Sequence, residues 1–211
     1  MDALSQFLPL IIVILVGLLI VPTYRLLRHR KQGNVWQEFA ARQGLTFEPG
    51  EKTLSGQYRG RPIFVDIYYH SAHVAGSRTS SAITRAVMSL ARIPQGGYLH
   101  ATISYGIAEN QLDEANRLSI QRNMNMTFVH TGEREIDKKV TISAPSGEFA
   151  AHVLSRNPVV REAILSRGTI GTLILEGQQL RYEWNAIETK EEKLQFALDL
   201  LTNVADIIER M

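Results

Sequence analysis

Four residues near the middle of the chain have side chains that could form a metal or catalytic site. Asp66 and His70 fall on one face of a predicted strand, His73 follows three residues later, and His100 lies on another predicted strand. Two imidazoles and a carboxylate are a ligand set that zinc or iron accepts. If the two strands are neighbours, these side chains converge. The competing interpretation, which we favour, is a polar face that meets solvent, as is common in antiparallel sheets.

Other signatures of chemistry are absent from the sequence. It contains no phosphate-binding glycine loop, no H-E-x-x-H zinc motif and no G-x-S-x-G nucleophile motif. It also has no cysteine, which excludes disulfides, thiolate metal sites and a cysteine nucleophile. We therefore predict no catalytic residue, no cofactor and no metal. A hydrolase or metalloenzyme that uses the four residues above remains the alternative.

The elements that would position these side chains indicate an α+β domain. Alternation over 63–70 predicts a strong strand, and residues 99–105 predict another. Between them, the spacing of apolar residues over 83–91 predicts a short helix. Residues 173–184 predict a hairpin around Gly177.

The end of the chain predicts a long helix. Thr189 and Glu192 have the spacing of a capping box. An apolar stripe from Leu194 to Ile208 follows at helical spacing. We expect this helix to pack across a sheet of mainly antiparallel strands.

An apolar segment near the start of the chain predicts a membrane anchor. Residues 3–24 carry no charge, and 22 residues in a helix span roughly 33 Å, enough for a hydrocarbon core of about 30 Å. A cleaved signal would have a positive charge before the apolar run and small residues at a cleavage site after it. Because both are missing, we predict an uncleaved transmembrane helix over residues 7–24.

A basic collar follows the apolar segment and consists of Arg25, Arg28, Arg30 and Lys31. Because Lys and Arg resist translocation, the collar predicts a cytoplasmic location for the remainder. These four are the predicted membrane-surface residues. The predicted organisation is a short extracytoplasmic N-terminus at 1–6, the transmembrane helix at 7–24, the collar at 25–33, and a cytoplasmic α+β domain at 34–211, with two lobes allowed by a break near 107–137.

The distribution of charge limits the partners. The chain has 23 Lys and Arg against 21 Asp and Glu, but from residue 32 onward 19 bases face 20 acids. A nucleic-acid partner therefore lacks its electrostatic basis. The predicted partners are the lipid bilayer and a protein. One locally basic stretch lies beyond the collar, from Arg59 to Arg92, where Arg78, Arg85 and Arg92 could contact lipid phosphates.

Two short motifs resemble a known type of bacterial domain. The run from Trp36 to Ala40 precedes Gly44-Leu45-Thr46-Phe47, and a Gly56-Gln57-Tyr58-Arg59-Gly60-Arg61 segment follows. This pattern is similar to one in bacterial single-span, membrane-anchored domains of unknown function. The shared residues are turn glycines and core aromatics. The resemblance therefore implies a fold and a location at a bacterial inner membrane, but no activity.

These observations predict an α+β protein with one N-terminal transmembrane helix and a soluble domain of mainly antiparallel strands with a long packed C-terminal helix. The predicted function is that of a membrane-anchored binding or scaffold domain that engages a protein partner or the membrane surface.

Overall fold

A computed structural model describes residues 32–74, 77–92, 97–104, 127–166 and 169–211, without the side chains of residues 72–79. The first described element is helix α1, at 32–43. The other elements, in chain order, are β1 (Thr46–Glu48), β2 (Thr53–Tyr58), β3 (Arg61–Val74), β4 (Ser77–Ser89), β5 (Leu99–Ile103), β6 (Phe128–Val129), α2 (Arg134–Lys139), β7 (Val140–Ser143), α3 (Gly147–Leu154), α4 (Pro158–Leu165), β8 (Gly171–Glu176), β9 (Gln179–Trp184) and α5 (Glu191–Glu209).

All the described strands belong to one antiparallel sheet in the order β1-β2-β3-β4-β9-β8-β5-β7-β6. Strands from both sides of the predicted break near 107–137 therefore lie in the same sheet. Residues 105–126, which include most of that break, lie outside the described residues.

One face of the sheet forms the core. A single row of paired residues crosses seven strands on this face: Val65, Ala86, Tyr182, Leu173, Ala101, Ile142 and Val129. The first six of these are buried and Val129 is partly buried, and they share one apolar cluster with the buried side chains of the helices. The predicted stripe of α5, from Leu194 to Ile208, belongs to this cluster.

Local signals define the ends of several elements. Gly44 has a φ of 67° and ends α1, while Arg59 and Gly60 have φ values of 50° and 80° in the tight turn between β2 and β3. The side chain of Ser146 accepts a hydrogen bond from the Phe149 amide at the start of α3. Asn157 caps α4 in the same way, with Pro158 at the first helical position. These residues therefore determine where the elements begin and end.

The predicted fold class is wrong in one part, the N-terminal transmembrane helix. Among the described residues, no helix is both long and apolar enough to cross a membrane. The longest is α5, whose 19 residues include five carboxylates along one side of its amphipathic surface. The predicted transmembrane segment, 7–24, lies outside the described residues. The fold that the structure supports is a large antiparallel nine-stranded sheet with helices.

A second correction concerns residues 83–91, where the prediction of a short helix is wrong. These residues continue strand β4 as far as Ser89. The inward side chains of this strand are Thr84, Ala86 and Met88, all fully buried. Because a polar residue and a small residue occupy two of the three inward positions, the alternation typical of a strand is weak in the sequence.

Candidate binding surface

The sheet order separates the residues of the predicted metal or catalytic site. Asp66 and His70 lie on β3, whereas His100 lies on β5. Strands β4, β9 and β8 lie between them, which corresponds to about 19 Å at the usual spacing between strands. The condition that these strands be neighbours is not met, because β4 and the last hairpin of the chain, β8 and β9, lie between them.

Each of these side chains has a separate environment. Arg85 donates two hydrogen bonds to the Asp66 carboxylate, from Nε to Oδ1 at 2.9 Å and from Nη2 to Oδ2 at 2.5 Å. His70 is exposed, and the side chain of His73 lies outside the described ones. His100 is half-buried opposite Ser143 on β7, and burial lowers its pKa below the ordinary value. Within the described residues, no three His, Asp or Glu side chains are arranged to hold a metal ion.

The hairpin of β3 and β4 extends far beyond the rest of the sheet. Pairing with β2 ends at Val65, and pairing with β9 ends at Thr84. Beyond these points, and among the described residues, the two strands pair only with each other, through Val74 and Ser77. We call residues 66–74 and 77–83 the arm. At the usual rise per residue it projects by roughly 25 Å, and both of its backbone edges lack a described neighbouring strand.

The arm carries few charges and has an exposed aromatic side chain. Tyr69 is 58% exposed, the largest exposed fraction among the described large hydrophobic side chains that stand on the surface. Small residues, Ser80, Ser81 and Ala82, face Ser71, His70 and Tyr69 across the hairpin. Charged side chains, especially lysines, are the usual protection of a sheet edge against pairing with another chain. The described part of the arm beyond Asp66 has no lysine or carboxylate.

A polar cluster fixes the base of the arm on the face of the sheet opposite the core. The guanidinium of Arg85 lies 5.0 Å from the centre of the Tyr68 ring while it binds Asp66. The Tyr68 hydroxyl donates to Oε2 of Glu183 on β9 at 2.9 Å. Hydrogen bonding to Asp66, opposed by partial burial, raises the pKa of Arg85. The arm is therefore held by side chains on two strands and does not depend on backbone pairing alone.

The locally basic stretch from Arg59 to Arg92 is largely neutralised. Arg59 pairs with Asp199, and Arg61 binds Asp206 and Glu209 at 2.6 and 2.7 Å, all on α5. The other paired arginine is Arg85, described above. Arg92 is exposed, and the side chain of Arg78 lies outside the described ones.

Of the three arginines predicted to contact lipid, Arg78, Arg85 and Arg92, one is therefore already bound to a carboxylate: Arg85 binds Asp66. The predicted membrane-surface residues, Arg25, Arg28, Arg30 and Lys31, lie outside the described residues, so their role remains a prediction.

Sequence reasoning did not identify the arm. It predicted no element over residues 71–81, because serine, threonine and alanine give no alternation of apolar and polar residues. It also gave no role to Tyr69 or Glu183. The first part of the arm did have a signal in the sequence, because the alternation over 63–70 includes Tyr69 and contains no turn residue.

Comparison with known proteins gives a similar fold. No protein-family model matches the chain, and no curated protein matches it in sequence. The structure is similar to the crystal structure of the mycobacterial trehalose monomycolate transport factor A, TtfA, with a TM-score of 0.54 and 10% sequence identity. The similarity covers 84% of this chain and 94% of that chain. At this identity it shows a shared fold and does not transfer an activity.

Proposed function

We propose that this chain is a non-enzymatic binding or scaffold domain that works at a bacterial membrane and engages a protein partner through the arm. The observation that carries this proposal is the two-stranded projection of β3 and β4 past their neighbours at Val65 and Thr84. A ribbon with free edges can accept an extended peptide as a further strand, in which backbone hydrogen bonds supply affinity. The exposed ring of Tyr69 offers a side-chain anchor beside that edge.

The contrast between the base and the remainder of the arm supports this role. At the base, the polar side chains hydrogen-bond to one another: Arg85 to Asp66, and Tyr68 to Glu183. Further out, Tyr69 and His70 are exposed. A firmly held base reduces the conformational entropy that is lost when a partner binds. The arm is thus suited to present a preorganised edge.

The membrane location is part of the proposal and depends on two considerations. The collar from Arg25 to Lys31 places four positive charges within seven residues, and such clusters are attracted to the anionic lipids of a cytoplasmic leaflet. The protein of similar fold is named as a transport factor for trehalose monomycolate, and we propose that the present chain serves a process at a membrane. We place its domain on the cytoplasmic face of the inner membrane.

Site-specific photo-crosslinking in cells tests the proposal. A photoreactive phenylalanine analogue replaces Tyr69 in the full chain, and the same analogue replaces Val159 on α4 as the control. Val159 is 54% exposed, so it matches Tyr69 in exposure but lies on another element. We expect one protein to be crosslinked at Tyr69 and not at Val159. Equal labelling at both positions, or no protein adduct at Tyr69, would contradict the proposal.

A second measurement separates a protein partner from the membrane surface. If the arm contacts lipid instead, Tyr69→Ser should reduce flotation of the full chain with vesicles rich in anionic lipid. We expect flotation to be unchanged by Tyr69→Ser and to be weakened by salt, because the collar supplies the attraction.

A further inference from the structure

A small cavity lies on the core side of the sheet, on the face opposite the polar cluster at the base of the arm. It has a volume of about 170 Å³ and lies where the end of α4, strand β9 and the first turns of α5 meet. Its lining residues are Ser166, Thr169, Ile170, Tyr182, Trp184, Lys193 and Phe196. An engineered apolar cavity of roughly 150 Å³ is known to hold a benzene molecule. This cavity is therefore large enough for one aromatic ring or a short alkyl chain.

Three aromatic side chains form the inner walls. The Tyr182 ring lies 5.4 Å from that of Trp184 and 6.2 Å from that of Phe196, the latter pair edge to face. These distances are the ones that aromatic pairs prefer. A fourth ring in the cavity would extend the same arrangement.

The polar groups of the walls are already hydrogen-bonded. The Tyr182 hydroxyl donates to the Ile170 carbonyl at 3.0 Å, and the Trp184 indole donates to Glu188 at 2.9 Å. The Ser166 and Thr169 hydroxyls lie 2.7 Å apart and are within hydrogen-bond distance of the Ala163 carbonyl. The interior therefore offers apolar surface and shape, and a ligand that binds there needs an apolar body.

The side chain of Lys193 lies where the cavity meets solvent. Lys193 is exposed, and no carboxylate in the described part of the chain pairs with it. Glu191, two residues earlier on α5, is paired with Arg42. Ile170 is 44% exposed beside the same opening. The opening thus combines an ammonium group that has no carboxylate partner among the described residues with apolar surface.

We propose that this cavity binds a small amphipathic anion, an aryl carboxylate, with its ring packed against Tyr182, Trp184 and Phe196 and its carboxylate on Lys193. This site is separate from the arm and does not depend on the function proposed for it. The ring fills the aromatic space, and the ammonium group supplies the charge that the walls lack.

The test uses the full chain and 3-phenylpropionate as the probe, with binding followed by calorimetry and by tryptophan fluorescence. We expect saturable binding that shifts the emission of Trp184, also in a Trp36→Phe variant. Lys193→Gln should weaken binding about fivefold or more. Lys190→Gln is the matched control, because Lys190 precedes the same helix but does not line the cavity, and it should leave affinity unchanged.

Two further measurements test whether binding requires the charge on the ligand. Ile170→Glu alters an exposed side chain and places a negative charge at the opening, so it should weaken binding of the anion without unfolding the domain. The neutral analogue 3-phenylpropanamide should bind more weakly than the acid. Absence of saturable binding to the folded protein, or equal affinity in Lys193→Gln and Lys190→Gln, would overturn the proposal.

Discussion

The indole N–H of Trp184 donates a hydrogen bond to Oε2 of Glu188 at 2.9 Å in the interior of the protein. The other carboxylate oxygen of Glu188 accepts hydrogen bonds from the amides of Thr189 and Lys190 at 2.9 and 2.8 Å. Its backbone carbonyl accepts the indole N–H of Trp36 at 3.1 Å. One glutamate, 4% exposed, therefore joins the last strand, the first described helix and the start of α5, where a negative charge is favourable.

The first prediction concerns the stability that this glutamate provides. We expect Glu188→Ala to lower the free energy of unfolding by about 3 kcal/mol, because it leaves one indole and two backbone donors without an acceptor. Glu188→Gln should cost less, about 1–2 kcal/mol, since one acceptor oxygen remains. Denaturant unfolding of both variants gives the two values. Glu192→Ala, at an exposed position one turn later, is the control and should change stability by less than about 0.5 kcal/mol. A loss that small in Glu188→Ala would contradict the assigned role.

The second prediction concerns alkaline pH. Burial raises the pKa of Tyr182 well above its ordinary value, because the phenolate form is disfavoured in the core. In the unfolded chain a tyrosine loses its proton near pH 10. The native state then binds more protons than the unfolded state, so stability falls as pH rises above about 10, by up to roughly 1.4 kcal/mol per pH unit for this residue.

Tyr182→Phe removes this ionisation and should reduce the slope of stability against pH by about that amount. Unfolding measurements at several pH values between 9 and 11 give the slope. Tyr69→Phe, at an exposed position, is the matched control. An unchanged slope in Tyr182→Phe would show that other groups cause the alkaline loss. The variant also loses the hydrogen bond to the Ile170 carbonyl, which lowers stability at every pH but does not alter the slope.

The third prediction tests the enzyme alternative. Because His70 and His100 lie on strands that are about 19 Å apart, a single ion cannot bind both. We expect elemental analysis of the purified full chain to give the same zinc and iron content for the wild type, His70→Ala and His100→Ala. Stoichiometric metal that is lost in either variant would favour a metalloenzyme and would contradict the binding-domain proposal.

Local features of the fold were predictable from the sequence where a single residue type decides the geometry. Gly177, with a φ of 55°, closes the β8–β9 hairpin where the sequence places it. The apolar stripe from Leu194 likewise predicts α5. The cap of that helix was predicted wrongly: its N-cap is Lys190, which makes no side-chain cap hydrogen bond, and Glu188 accepts the amides of Thr189 and Lys190 just before the helix.

The pairing of strands that are far apart in the sequence was harder to predict. The pairing of β4 with β9 joins residues about a hundred positions apart, as in Thr84 with Trp184. No local pattern specifies this pairing, and it is what separates His100 from Asp66. The edges of the arm, which have no neighbouring strand among the described residues, follow from the same topology, because they begin where pairing with β2 and β9 ends. A candidate surface of this kind therefore emerges from the assembled sheet and not from a motif.

The arm itself provides the most direct test of the central proposal. Replacing residues 70–81 by Asn-Gly closes the hairpin at the paired residues Tyr69 and Ala82 with a two-residue turn. Because pairing with β2 and β9 ends at Val65 and Thr84, we expect the shortened chain to fold with its free energy of unfolding within about 1 kcal/mol of the wild type.

The measurement is the affinity of the full and shortened chains for the protein that crosslinks at Tyr69. We predict at least a tenfold loss of affinity in the shortened chain, since most of the free backbone edge is removed. A shortened chain that remains folded and binds this partner as tightly as the full chain would contradict the proposal.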